Sequence, residues 1–175
     1  METWFTSDTH FGHRNIIKYD NRPFENTFEH DEFLIKKWNE TVAPKDHVYH
    51  LGDFSFHGRK FSEKILSRLH GKKFLIWGNH DRKQFDGFQE IYPILSRKWD
   101  GKKFMLTHIP FLTLPRSYSF QLHGHDHVGN FAQEYYEGLK TKGIINPKLL
   151  TFNVACNRHD YTPINLEYLL ELQSQ

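Results

Sequence analysis

Aspartate, asparagine and histidine recur in this 175-residue chain at the ends of short apolar runs, and the chemistry of the chain is read first from that placement. The run Phe74-Leu75-Ile76-Trp77 stops at Gly78-Asn79-His80-Asp81. An apolar run this short, between a basic turn and a glycine, predicts a buried strand rather than a helix. Gly78 permits a sharp turn. Asn79 offers a neutral oxygen, His80 an imidazole able to act as acid or base, and Asp81 a carboxylate able to fix an imidazole tautomer. The pattern repeats with Asp8-Thr9-His10 after residues 2–6, Gly52-Asp53 after 47–51, His108 after 102–107, and His125-Asp126-His127 after 120–122. Asp8, His10, Asp53, Asn79, His108, His125 and His127 exceed what one tetrahedral ion takes and suit two ions sharing a carboxylate. Residues two apart in an extended segment face the same side, so Asp8 with His10, and His125 with His127, are each expected to address one site.

The elements that must hold these residues follow from periodicity. Strands are expected at residues 2–6, 47–51 and 74–77. Between them, residues 27–42 carry Leu34, Ile35, Trp38 and Val42 at helical spacing behind Asn26 or Thr27, and Pro44 stops the run. A second helix over 60–69 presents Phe61, Ile65, Leu66 and Leu69, with Gly71 at its end. Strand, helix, strand, helix, strand argues for a parallel βαβαβ unit with its working residues at the strand C-termini. Residues 91–96 and 102–107, separated by Asp100-Gly101, predict an antiparallel hairpin. Residues 129–147 are polar and glycine-interrupted and are expected to form a loop or hairpin. A last strand is expected over 149–156 and a terminal helix over 166–172, capped by Asn165.

Composition bounds the rest. The length fits one domain, residues 1–175. A net charge of +2 with scattered basic residues argues against a dedicated nucleic-acid groove. The single cysteine, Cys156, excludes an intrachain disulfide and a thiolate metal cage, which makes a reducing compartment the default. With no signal-like start and no apolar span long enough for a bilayer, a cytoplasmic setting is expected. Histidine, at 13 copies, is the compositional outlier and points to metal or acid–base work.

In order along the chain, Asp8-Thr9-His10, Gly52-Asp53 with Gly58, Gly78-Asn79-His80-Asp81, His108-Ile109-Pro110 and Gly124-His125-Asp126-His127 resemble the motif series of the calcineurin-like metallophosphoesterase superfamily. The longer strings Thr6-Ser7-Asp8-Thr9-His10-Phe11-Gly12-His13 and Arg22-Pro23-Phe24 are similar to its small single-domain bacterial and phage branch. The resemblance implies a two-sheet αββα sandwich with a dinuclear centre at the strand C-terminal ends. It further implies that Asp8, His10, Asp53 and His127 hold one ion and Asp53, Asn79, His108 and His125 the other, with Asp53 as the bridge. Manganese leads the expected metals, with iron, nickel, cobalt or zinc compatible. The reaction implied is in-line attack of a metal-bridging hydroxide on phosphorus, with His80 near the leaving group and Asp81 orienting its ring.

The substrate expected is a phosphodiester or nucleotide ester, because a chain of this size leaves no room for a large capping or protein-docking domain. Other readings are a catalytically silent metal-binding regulatory module, a nuclease of the same superfamily, and a helical His-Asp phosphohydrolase. The first would have no need of a complete donor series, the second lacks a basic stripe, and the third places its His-Asp on a helix. His13, Arg14, Asn15, Arg22, His57 and Arg116 could face a phosphate, although solvated loop positions are commoner for such residues. Phe11, Phe54 and Phe56 are expected in core or lid packing before base stacking. Cys156 is expected to be an inert buried thiol.

Overall fold

The computed structural model describes residues 1–81, 86–128 and 131–174. Strands β1 (Thr3–Thr6), β2 (His47–His50), β3 (Lys72–Ile76) and β4 (Glu90–Tyr92) pair in parallel, and β9 (Ile164–Asn165) joins β1 antiparallel, giving the order β4-β3-β2-β1-β9. The second sheet, in the order β5-β6-β7-β8, contains β5 (Leu95–Trp99), β6 (Lys102–Leu106), β7 (Phe120–His123) and β8 (Leu150–Asn153). Helices α1 (Arg14–Tyr19), α2 (Thr27–Thr41), α3 (Arg59–Arg68), α4 (Phe131–Thr141) and α5 (Leu166–Ser174) complete the described elements.

Period-two alternation builds the layers. Tyr49, Phe74 and Ile76 face the second sheet, where they meet Phe104, Leu106, Phe120 and Leu122. Their neighbours Val48 and Leu75 point the other way, into a core with Leu34, Ile35 and Trp38 of α2 and Ile65 and Leu66 of α3. Met105, between Phe104 and Leu106, packs outward with Tyr136 of α4, Ile145 and Leu149. Helices therefore cover the outer faces of both sheets, which is the αββα sandwich expected. Registered aromatics tie neighbouring strands: Tyr49 opposes Phe74 with ring centroids 4.9 Å apart, and Phe104 stacks on Phe120 at 4.1 Å.

The helix at 27–42 is observed as α2, with the Asn26 side chain accepting from the Glu29 N–H. The hairpin at Asp100-Gly101 also forms, both residues having positive φ as a type I′ turn requires. Four details differ. Residues 91–96 are two strands in two sheets: β4 extends the parallel sheet, and the chain crosses at residues 93–94 to start β5. A short apolar run carries no mark of which sheet it will join. Residues 131–141 of the expected loop form α4, stabilised by burial of Tyr136; residues 129 and 130 lie outside the described residues. The closing strand ends at Asn153, a 3₁₀ turn (Cys156–Arg158) follows, and β9 comes last. The six-residue α1 was not expected, being too short to show a period. Among the described residues, no helix is long and apolar enough to cross a membrane.

Candidate metal centre

The expected donors all follow strand ends along one edge of the sandwich. Asp8 and His10 leave β1, Asp53 leaves β2, Asn79 leaves β3, His108 leaves β6, and His125 and His127 leave β7. Strand alternation does not aim them. Asp8, His10, Asp53 and His125 have φ of 55°, 49°, 56° and 70°, a left-handed conformation that costs non-glycine residues energy and persists only where surrounding structure enforces it. Here Asp8 N donates to Gly52 O, His10 N to Asp53 O and Phe11 N to Phe54 O, all within 3.0 Å, so the two loops zip together beyond their strands. Two glycines let backbone approach the carboxylates. A Cβ on Gly78 would lie 2.3 Å from Asp53 Oδ1, and one on Gly124 would lie 2.4 Å from Asp8 Oδ2.

Among the described residues, two triads have donor atoms all within 4.8 Å of one another, Asp8–His10–His127 and Asp8–Asp53–His108. His127 Nε2 is 3.0 Å from Asp8 Oδ1 and 3.3 Å from His10 Nε2. Asp53 Oδ2 is 3.6 Å from His10 Nε2 and 3.4 Å from His108 Nε2. Asn79 reaches the second triad through Oδ1, 2.9 Å from His108 Nε2. His125 belongs to neither triad; it is exposed at the mouth with its ring 5.2 Å from that of His108, and its N–H donates to Asp8 Oδ2. Convergence of buried imidazole nitrogens and carboxylate oxygens fits divalent transition ions, whose preferred ligands these are.

Burial alone would favour a neutral Asp8, but His127, His108 and His10 hold its carboxyl well below the usual range. Asp53 is lowered against burial in the same way, chiefly by His108. Burial would depress His108 and His127; Asp53 and Asp8 beside the first, and Asp20 and Asp8 beside the second, overcome it and raise both to about 9. At His10 burial prevails and the imidazole falls to about 3. Protons on His108 and His127 thus sit where a cation would, and they must leave for those nitrogens to coordinate one.

Asp81 departs from expectation. Its carboxylate accepts the backbone N–H groups of Asp53, Phe54 and Gly78 at 2.8–3.0 Å, so it organises the loop that presents Asp53 instead of orienting the His80 ring. His80 donates its backbone N–H to Asp53 Oδ1, and its half-exposed ring sits with Nε2 4.0 Å from Asp53 Oδ2. Phe56, exposed beside His80, stacks on His13 with centroids 3.9 Å apart, whereas Phe11 and Phe54 are core. Asn15 lines the same cleft. Arg22 is buried under the site, where it donates to the Asp8 and Thr9 carbonyls and to Asp20. His57 packs on Gly12, Arg116 bonds the Gly143 carbonyl, and Arg14 is exposed.

Sequence reasoning missed Asp20 and Ser7. Asp20 Oδ2 lies 2.8 Å from His127 Nδ1 and fixes that ring, while Ser7 Oγ donates to Asp8 Oδ2 at 2.5 Å. Asp20 carries no local signal, since it ends a helix too short to read and meets His127 only through the fold.

A fold of this kind with a histidine–carboxylate cluster at one sheet edge defines a class, and comparison with known proteins gives the family. The calcineurin-like phosphoesterase family model matches residues 1–159, and the chain belongs to that family. An uncharacterized protein of Methanocaldococcus jannaschii is 38% identical over 172 residues, covering 97% of this chain and 89% of that protein. The Gene 66 protein of Mycobacterium phage L5 is 40% identical over 82 residues, 45% of this chain and 39% of its own. The crystal structure of a protein of unknown function from Aquifex aeolicus superposes with a TM-score of 0.74 at 26% identity, covering 98% of both chains. Family membership places the activity in metal-dependent phosphoester hydrolysis.

Proposed function

We propose that the chain, as a single cytoplasmic domain, hydrolyses phosphodiesters or nucleotide phosphate esters at a dinuclear centre. Asp8, His10, Asp53 and His127 hold one divalent ion and Asp53, Asn79, His108 and His125 the second. The observation that supports this reading is Asp53 Oδ2, 3.6 Å from His10 Nε2 of one ligand set and 3.4 Å from His108 Nε2 of the other, with Asp8 common to both triads. The two ions would supply a bound water of lowered pKa and the charge that steadies phosphoryl transfer, with manganese the leading candidate among the transition ions that this imidazole, carboxylate and amide set can accept. Asp81 holds the Asp53 loop, and Asp20 and Ser7 set His127 and Asp8 in place. His80, half-exposed at the mouth, gives a proton to the leaving oxygen.

The test is hydrolysis of bis(p-nitrophenyl) phosphate and p-nitrophenyl phosphate after chelation and re-addition of single metals. The expected outcome is loss of activity on chelation, recovery with Mn²⁺ well above Mg²⁺, and faster diester than monoester turnover. Equal recovery with Mg²⁺ would contradict an imidazole-rich site, and absence of turnover with every metal would favour the silent module.

A further inference from the structure

Among the described residues, two clefts open from the candidate centre, and the proposed reaction assigns one of them. The first, about 470 Å³, is lined by His10, Asp53, His125 and His127 together with His80 and Phe56. Because His80 stands in it, it receives the leaving group. The second, about 370 Å³, begins at Asn79 and His108, two of the four donors proposed for the second ion, and is walled by Trp77, Pro93, Ile94, Ile109 and Phe111. It lies at the seam between the sheets, where β3 ends, β6 ends and the chain crosses from β4 to β5.

The walls of this second cleft are apolar and open to solvent. Trp77 is 46% exposed, Ile94 49% and Ile109 53%, with Phe111 and the adjoining Leu112 also exposed. Apolar side chains gathered beside a reaction centre mark a binding surface, since leaving them in water forgoes their burial. Among the described residues, no Lys, Arg, Asp or Glu lines the cleft, so beyond Asn79 and His108 its described walls favour an apolar occupant.

We infer that the Trp77 cleft is the subsite for the retained substituent of a phosphodiester, and that this substituent is a planar aromatic or heteroaromatic ring. The inference rests on the phosphodiesterase reading above. A monoester has one organic arm and would leave this cleft empty; a diester whose leaving arm lies by His80 places its second arm along Asn79 and His108. A lining that combines the Trp77 indole, the Phe111 ring, Ile94 and Ile109 suits a flat ring. In the reaction, water oxygen bonds phosphorus and gives up a proton to solvent. The bond from phosphorus to the leaving oxygen breaks, that oxygen takes the His80 proton, and the ring-bearing phosphomonoester is released from the second cleft.

Diesters sharing a p-nitrophenol leaving group but differing in the second substituent, methyl, phenyl or thymidin-5′-yl, test this on the metal-loaded protein. The ring-bearing esters are expected to exceed the methyl ester about ten-fold in kcat/KM, and Trp77→Ala to bring that ratio towards one, with Trp77→Phe intermediate. A second readout is independent of turnover. Trp77 is the most exposed of the four tryptophans, so its fluorescence is expected to be shielded from acrylamide by diphenylphosphinate, which has no ester bond, and not by dimethylphosphinate. A flat substituent series, or a ratio unchanged in Trp77→Ala, overturns the subsite while leaving the hydrolase reading intact. Shielding by diphenylphosphinate without turnover of any ester would leave an aromatic-binding cleft but overturn the phosphodiesterase reading and, with it, the assignment of the cleft to a retained substituent. Shielding that grows with protein concentration alone assigns the patch to a second copy of the chain and overturns the proposal.

Discussion

The two sheets bring unlike chemistry to the same edge. The parallel sheet delivers both central carboxylates, Asp8 and Asp53, with Asn79 and His10, from loops that hold three of these four in left-handed backbone. The second sheet delivers imidazoles, His108, His125 and His127, and only His125 among them has positive φ. Negative charge and strain therefore concentrate on one side, and counter-charge arrives from the other across the sandwich core. Either set alone would be unstable: two buried carboxylates without His108 and His127 would repel and take up protons, and buried imidazoles without the carboxylates would lose theirs. The site is a product of docking one sheet on the other.

Asp53→Asn should break this division most severely. It removes the carboxylate that faces His10 and His108 at once, so elemental analysis should show loss of both ions and turnover should fall to the level of the metal-stripped protein. Retention of two ions per chain with unchanged resistance to chelator would show that the sheets are bridged elsewhere. His80→Ala sharpens the comparison, because His80 belongs to the parallel sheet's loops but to neither triad. Metal content should persist while kcat on an alkyl or nucleoside ester falls about 10²–10⁴-fold, and less on a p-nitrophenyl ester, whose leaving group needs no proton. Equal losses on both esters would replace proton donation with stabilisation of phosphoryl oxygens.

On the imidazole side, Asp20→Asn leaves the donor atoms in place but loosens the His127 ring and removes the carboxylate partner of Arg22 beneath Asp8. Metal affinity measured by competition with a chelator is expected to fall about 10–100-fold, the usual scale for a partner that orients a ligand. The smallest effect is in pH. Without metal, His108 and His127 have folded pKa values of about 9, above the ordinary 6.5, so their contribution to stability is complete below pH 6.5 and is lost as pH rises through 9. Asp8 and Asp53 are lowered, so theirs is complete above about pH 4 and lost in acid. The metal-free protein should melt progressively lower from pH 6.5 to 9. The metal-loaded protein should hold its Tm, because binding requires the same nitrogens to be deprotonated. Parallel melting curves with and without metal would uncouple the imidazoles from the ions.

Cys156 was legible as an inert thiol because a lone cysteine in an apolar run has few other fates, and burial raises it to about 11. The strands that lead to Asp8, Asp53, Asn79 and His108 were legible for a related reason. Each is an apolar run broken by a polar or glycine residue, and a parallel strand buried on both faces must read that way. Helix α2 carried its own start at Asn26 and its own stop near Pro44. Those are short-range properties, and the sequence by itself determined them, together with the types of donor available at the strand ends. Tertiary structure alone decided the rest. Whether 91–96 was one strand or two depended on which sheet lay nearer, and α4 depended on a place to bury Tyr136. Asp81 turned from His80 to the Asp53 loop because three backbone N–H groups converge on it there. Asp20 became the partner of His127, 107 positions along the chain, because packing brings α1's end under β7's exit. Contacts of that kind arise from which surfaces close on one another, a relation between distant segments that no local pattern of residues encodes.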